Sequence, residues 1–192
     1  NLYLHPLDRV VAQAGYQMVR YCDDLVLLCR TQAEAEAALA LVQEWTLQHG
    51  LRLHPEKTRI VDSSQGGYGF AFLGYRFVRG RRHVRRKSLM ALRDKIRQKT
   101  GRTRSGSLEH IIAELNPMLR GWFNYFKHAR FPTFRTIDGF VRRRLRALLR
   151  KREKRPSFGG SRQDHQRWPN AFFAAHGLFT LHEAYVQARQ SR

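Results

Sequence analysis

The stretch Met18-Val19-Arg20-Tyr21-Cys22-Asp23-Asp24-Leu25-Val26-Leu27-Leu28-Cys29 decides how this chain is read. Two short runs rich in Val, Leu and Tyr flank a two-residue break, which is the pattern of paired antiparallel strands. Asn-Gly or Asp-Gly would suit such a turn. Asp23-Asp24 instead sets two like charges side by side and supplies no glycine. A divalent cation would offset that repulsion, since Mg2+ takes hard oxygen ligands and completes its shell with water and substrate phosphates. On these residues alone the alternative is a polar turn that carries two aspartates.

Working outward, Thr31-Gln32-Ala33-Glu34 reads as a capping box. The helix it opens runs through Ala37, Leu41 and Trp45 and stops at His49-Gly50. Upstream, Leu2, Leu4, Leu7, Val10 and Val11 mark one face of a helix with no capping residue before it. Because the chain opens mid-pattern on Asn1, the protein is expected to begin further upstream. Downstream, residues 51–53 and 58–61 read as short strand pieces. Gly66-Gly67 marks a turn, 70–78 reads as one strand, and Gly80 turns it toward 81–86.

From residue 88 the period becomes helical. A basic helix is predicted over 89–99, a Gly/Ser/Arg linker over 101–107, and a helix over 108–115 that Pro117 interrupts. The helix resumes over 118–129 with Trp122, Tyr125 and Phe126 as an aromatic stripe. A further helix near 137–151 carries Phe140, Val141, Leu145, Leu148 and Leu149 on one side. Its other side holds Arg142, Arg143, Arg144, Arg146 and Arg150, the division of a helix packed on a core with arginines outward. Residues 151–160 read as a flexible basic linker and 172–186 as one or two short closing helices. The class expected is α+β, a small antiparallel sheet with helices followed by an all-helical region.

Charge divides the chain. Residues 1–75 hold 6 Lys and Arg against 8 Asp and Glu, whereas 76–192 hold 30 against 7. The second part would repel itself strongly without a polyanionic partner, and nucleic acid is the expected one, ahead of an anionic membrane surface. Cys22 and Cys29 are the only cysteines. They are expected on the two strands near the hairpin tip as buried free thiols in a reducing, cytoplasmic setting, without the second pair a zinc site needs. No run approaches the ~20 apolar residues that span a bilayer, so no membrane partner is expected.

Four segments in order resemble bacterial group II intron-encoded reverse transcriptases, the maturases. Tyr21-Cys22-Asp23-Asp24 is similar to the metal-binding palm hairpin, and the segment Gly50-Leu51-Arg52-Leu53-His54-Pro55-Glu56-Lys57-Thr58 to the palm segment that follows it. Phe72-Leu73-Gly74-Tyr75 resembles the primer grip. The run Leu115-Asn116-Pro117-Met118-Leu119-Arg120-Gly121-Trp122-Phe123-Asn124-Tyr125-Phe126 resembles the maturase-specific thumb helix. The resemblance implies part of a right-hand polymerase palm over 1–87 with its primer grip, a helical thumb/maturase domain over 88–155, and a C-terminal tail over 156–192.

It further implies RNA-directed DNA polymerisation with two Mg2+ ions, a DNA primer, an RNA template, intron RNA and deoxynucleotide triphosphates. By that analogy Asp23 is a direct metal ligand and Asp24 a weaker or outer one. Lys57 reaches the triphosphate or protonates the leaving group; its alternative is a solvated loop lysine. Tyr21 and Cys22 floor the primer terminus, with Cys22 standing where the family usually has alanine. Arg81, Arg82, Arg85 and Arg86 lie along the passing template-primer backbone, and Arg142, Arg143, Arg144 and Arg146 line a groove for RNA or heteroduplex. Trp122, Phe123, Tyr125 and Phe126 stack on bases or, alternatively, form core.

The resemblance also implies that a first catalytic aspartate, the fingers and the nucleotide-receiving loop lie upstream of Asn1. Two other classes compete: a non-catalytic RNA-binding maturase remnant, and a non-intron bacterial reverse transcriptase. The intact Asp23-Asp24 pair argues against the first, and the maturase-like thumb against the second. The expected outcome of incubating purified residues 1–192 with primer, template and Mg2+ is no extension; a measured product would overturn that expectation.

Overall fold

The computed structural model describes residues 2–64, 69–154 and 159–190. They form an α+β chain in two compact units, Asn1–Phe72 and Leu73–Arg192. The expected Gly66-Gly67 turn and most of the 151–160 linker's centre lie outside the described residues.

The first unit contains α1 (His5–Gln13), β1 (Gln17–Tyr21), β2 (Asp24–Leu28), α2 (Gln32–Gln48) and β3 (Phe70–Phe72). Leu7 and Val11 of α1 and Val42 and Trp45 of α2 make its buried centre. Met18, Leu25 and Leu27 of the hairpin pack on it, as do Leu51 and Leu53. Thr31 Oγ1 accepts from the Glu34 N–H at 3.1 Å, while the Glu34 carboxylate accepts from the Arg30 N–H at 2.7 Å. The reciprocal arm of the expected capping box thus closes one residue before the cap. Residues 51–53 and 58–61 are loop, not strand. Leu51 and Leu53 bury apolar surface on the core, and among the described residues no neighbouring strand pairs with them.

The second unit contains β4 (Tyr75–Val78), β5 (Arg81–Val84), α3 (Arg86–Lys99), α4 (Leu108–Phe126), α5 (Pro132–Arg152), α6 (Arg162–Arg167), α7 (Asn170–Ala175) and α8 (Leu181–Gln190). The single strand expected over 70–78 is broken at Leu73-Gly74, where φ is 47° and 77°. Two successive left-handed residues reverse the chain as a tight turn does. A Cβ on Gly74 would lie 3.2 Å from the buried Phe126 ring, which would have to give by a few tenths of an ångström.

Pro117 does not interrupt α4. Proline inside a helix costs about 3 kcal/mol through its missing N–H and its clash with the preceding turn. Leu115, Leu119, Phe123 and Phe126 are all buried on one face of the continuous helix. Each fully buried apolar side chain returns ~1.5–3 kcal/mol, so burial outweighs the proline. Pro117 itself and Ala113, whose carbonyl loses its donor, both face solvent.

These helices share one apolar cluster, with Ile111, Leu115 and Leu119 of α4 and Phe134, Ile137, Val141, Leu145 and Leu148 of α5 at its centre. Two polar side chains tie the C-terminal segment to it. Asn116 donates to the Gly177 carbonyl at 2.8 Å and accepts from the Phe179 N–H at 2.8 Å. Asp138, buried in α5, accepts from the N–H groups of Leu181 and His182 at 3.0 and 2.9 Å and so caps α8. Burial raises its carboxyl above the ordinary carboxylate range despite those two donors. A third polar link joins Arg150 of α5 to Asp164, which also closes a capping box with Ser161 at the start of α6. Burial pushes the Asp164 carboxyl up, but Arg150 and Ser161 outweigh it and hold it below the usual value.

Residues 172–186 fall on two short closing helices, α7 and α8, as the periodicity predicts, and α6 precedes them, opening at Ser161 on a local cap rather than an apolar stripe. Helix α5 also continues to Arg152, into the expected linker. Gly159 beyond it has φ 75°, and a Cβ there would stand 2.4 Å from the Ala147 backbone nitrogen. The close approach of this segment to α5 requires glycine. Gly159→Ala is expected to lower the second unit's stability by about 2 kcal/mol or more. Urea denaturation followed by Trp fluorescence checks it.

Candidate metal hairpin and nucleic-acid interface

Strands β1 and β2 pair antiparallel, with Gln17 opposite Leu28 and Tyr21 opposite Asp24. The loop residues are therefore Cys22 and Asp23, one position earlier than the Asp23-Asp24 turn expected from sequence. The inward set decides this: Met18, Leu25 and Leu27 must face the core, and a one-residue slip would turn them all to solvent. Cys22 adopts φ 56° in the place where a glycine would be comfortable. Both cysteines lie outside the strands, Cys22 exposed and Cys29 half-buried, so the expectation of two buried thiols is corrected. Burial, reinforced by Glu34, raises the Cys29 thiol above its ordinary value.

Asp23 and Asp24 are exposed. Among the described residues neither carboxylate has a hydrogen-bond or ion-pair partner. What supports the turn is Arg20, which sequence reasoning had not given a role. Its Nη1 donates to the Cys22 carbonyl at 2.8 Å, and its Nε and Nη2 donate to the two Asp8 oxygens at 2.7 and 2.5 Å. The fork joins α1 to the loop through a bidentate pair. The hydrogen bond from Arg20 holds the Asp8 carboxyl below its ordinary value, against the opposing push of burial. Asp8 is thereby committed to Arg20, and Asp62 to the Ser64 N–H and hydroxyl. No sequence pattern flags a pair twelve residues apart on a helix and a strand.

Arg20, Tyr21 and Cys22 line an open cleft of about 560 Å³ with Leu2 and His5. Tyr21 is 62% exposed there. Lys57 stands in an exposed turn in which its own N–H donates to the His54 carbonyl at 3.1 Å. Among the described residues no group of three or more His, Cys, Asp or Glu side chains could together hold a metal. Two free, adjacent carboxylates still suit Mg2+, which is commonly held by one or two carboxylates with waters and substrate phosphates.

In the second unit the Leu73-Gly74-Tyr75 segment is fastened to the end of α4. Tyr75 donates its hydroxyl proton to the Tyr125 carbonyl at 2.6 Å, and Tyr125 donates to the Leu73 carbonyl at 2.9 Å. Arg85 N–H donates to the Gly74 carbonyl at 2.9 Å. Phe123 and Phe126 are buried and Trp122 is packed on the same cluster, so the aromatic stripe is core; Tyr125 keeps 54% of its surface exposed.

Arg81, Arg82, Arg85 and Arg86 are all exposed. Burial lowers the His83 pKa, and the charges of Arg130, Arg76 and Arg81 lower it further, a sign of the local positive field. On α5 the expected outward row is only partly outward. Arg143 is exposed, whereas Arg142 is half-buried. Arg144 spends its guanidinium on the Thr100 hydroxyl and carbonyl, at 3.1 and 2.8 Å. Arg146 is corrected outright: it is 2% exposed and donates to the Trp168 carbonyl at 2.9 Å and to Asn170 Oδ1 at 3.1 Å, over the Phe173 ring. Helical periodicity puts 145 and 148 inside, and α7 covers the neighbouring position that a lone helix would leave wet.

A carboxylate-bearing hairpin followed by a cationic helical unit is the arrangement of a nucleic-acid polymerase joined to an RNA-handling domain. Residues 1–77 match the family model for reverse transcriptase (RNA-dependent DNA polymerase), and 89–168 match that for the group II intron maturase-specific domain. Side by side in one chain, the two matches are consistent with an intron-encoded reverse transcriptase/maturase. A comparison with curated proteins found no match. RNA and DNA are the substrates this family handles, and its polymerases use Mg2+. Among the described residues no helix is long and apolar enough to cross a membrane.

At φ 56° a β-branched side chain is strained by about 1–2 kcal/mol. Cys22→Val is expected to destabilise the first unit by roughly that amount, while Cys22→Gly leaves it within about 0.5 kcal/mol. Thermal or urea unfolding of the two variants distinguishes them.

Proposed function

We propose that the chain contributes the metal hairpin and primer-grip side of a reverse transcriptase palm, joined to a maturase thumb that holds intron RNA. The observation that carries this reading is the free Asp23-Asp24 pair at the hairpin tip, Asp23 in the turn and Asp24 at the start of β2, within the segment that matches reverse transcriptase. Asp23 and Asp24 would hold Mg2+, which in two-metal polymerases activates the primer hydroxyl and steadies the leaving pyrophosphate. Tyr21 and Cys22, at the cleft wall, support the primer terminus. Lys57 neutralises charge on the incoming deoxynucleotide triphosphate. Phe72, Leu73, Gly74 and Tyr75 form the primer grip, the last three held to α4 by the tyrosine pair.

Arg81, Arg82, Arg85, Arg86 and Arg143 bind template or intron RNA through phosphates, with Arg142 and Arg144 at the edge of that surface. The domains proposed are palm over 1–87, thumb/maturase over 88–155 and tail over 156–192, in a bacterial, cytoplasmic setting. The match to the maturase-specific domain favours an intron-encoded enzyme over a non-intron reverse transcriptase.

Calorimetric titration with Mn2+ or Mg2+ tests the metal assignment. The wild-type chain is expected to take up metal, and Asp23→Asn to lose that uptake while binding RNA as tightly as wild type. Undiminished uptake by the variant would remove the metal role of the hairpin.

A further inference from the structure

Three guanidinium groups converge on one aromatic ring of the second unit. Arg93 and Arg97 of α3 and Arg143 of α5 place their central carbons 5.6, 5.5 and 5.6 Å from the Phe140 ring centroid. A cation over a ring gains ~0.5–1 kcal/mol at an exposed site, but three like charges around one ring repel one another. Little on the protein neutralises them. Arg97 pairs with Asp94 within its own helix. Arg93 Nε is buried and has no hydrogen-bond partner among the described residues. The crowding extends to Arg144, whose pKa is lowered first by burial and then by Arg97, Arg143 and Arg102. Phe140 is half-buried and Arg97 and Arg143 are exposed, so the group is open to a ligand.

We propose that Arg93, Arg97 and Arg143, gathered around Phe140, form a subsite that grips the sugar-phosphate backbone of RNA. This rests on the RNA-binding reading above and gives it a second face, made by α3 together with α5. The planar guanidinium fork matches phosphate oxygens two at a time. Arg93 and Arg97 lie one turn apart, ~6 Å along the helix axis, so each can take a separate phosphate. An anionic bilayer fits less well, because a surface-bound helix needs an apolar stripe to bury. On α3 that stripe, Leu89, Leu92 and Ile96, is already committed to the core, and Met90 alone among its described large apolar residues is exposed.

The test measures binding of a structured intron-type RNA to the 192-residue chain by fluorescence anisotropy across a salt series. Arg93→Gln/Arg97→Gln/Arg143→Gln is expected to weaken binding about tenfold or more and to flatten the slope of log K against log salt by roughly two to three. A charge-matched control, Arg9→Gln/Arg30→Gln/Arg59→Gln, alters exposed first-unit arginines and is expected to bind within about threefold of wild type. Should the triple variant fail to fold, Arg97→Gln and Arg143→Gln singly, each at an exposed position, carry the test with smaller losses. Equal loss in the control would reduce the effect to net charge and overturn the subsite. Wild-type affinity in the triple variant would overturn the subsite while leaving RNA binding intact, and a wild-type chain that binds no RNA would overturn both. A parallel arm with phosphatidylserine vesicles overturns the proposal if the substitutions abolish vesicle binding and spare RNA binding.

Discussion

The second unit depends on reconciling a large excess of positive charge with a single apolar cluster. Thirty lysines and arginines fall within residues 76–192 against seven carboxylates. Helices α4 and α5 can accept that load because their buried faces are mainly apolar, from Ile111 to Phe126 on one and Phe134 to Leu148 on the other, and the two polar side chains buried on α5, Asp138 and Arg146, are both hydrogen-bonded. Burial is non-directional and sums over many side chains, so it tolerates a surface electrostatically at odds with itself. The few carboxylates are then used where they do most. Asp138 caps α8, Asp164 caps α6 and pairs with Arg150, and Glu114 meets Arg104 and Lys99. The cations left over, chiefly exposed arginines of the β4–β5 hairpin, α3 and α5, are the unit's capacity for phosphate.

The first unit poses a different constraint. A two-residue turn without glycine must present two acidic side chains at the end of a hairpin. The backbone strain falls on Cys22, and the Asp8–Arg20 pair reaches across from α1 to hold the Cys22 carbonyl. An arginine that bridges a carboxylate and a turn carbonyl limits how the loop can relax, and it does so without touching Asp23 or Asp24. Their oxygens stay free, which is the condition for binding a hard cation. Stability and chemistry are served by different carboxylates of the same unit.

Most of the architecture was open to inspection in the chain itself. The hairpin, the helix opened by Thr31, the basic helices and the α+β class follow from local periodicity and caps, which neighbouring residues decide among themselves. The errors share a cause. Residues 51–53 alternate like a strand, yet among the described residues no partner strand lies beside them. Residues 70–78 read as one strand until Leu73 and Gly74 both turn left-handed, and Pro117 reads as a break until the burial on either side of it is counted. Each outcome turns on atoms distant in sequence.

The sequence by itself determined the charge division, the paired aspartates and the order of motifs that identify a reverse transcriptase joined to a maturase domain. Only the tertiary structure decided which residues are free to act. Arg146 sits beside Arg142, Arg143 and Arg144 in a run that sequence cannot subdivide, but α7 covers it and Trp168 takes its hydrogen bond. Arg93 and Arg97 drew no notice on a basic helix until α5 brought Phe140 and Arg143 against them. Local pattern says which face of a helix is wet only while nothing packs there. What packs there is settled by contacts between segments tens of residues apart.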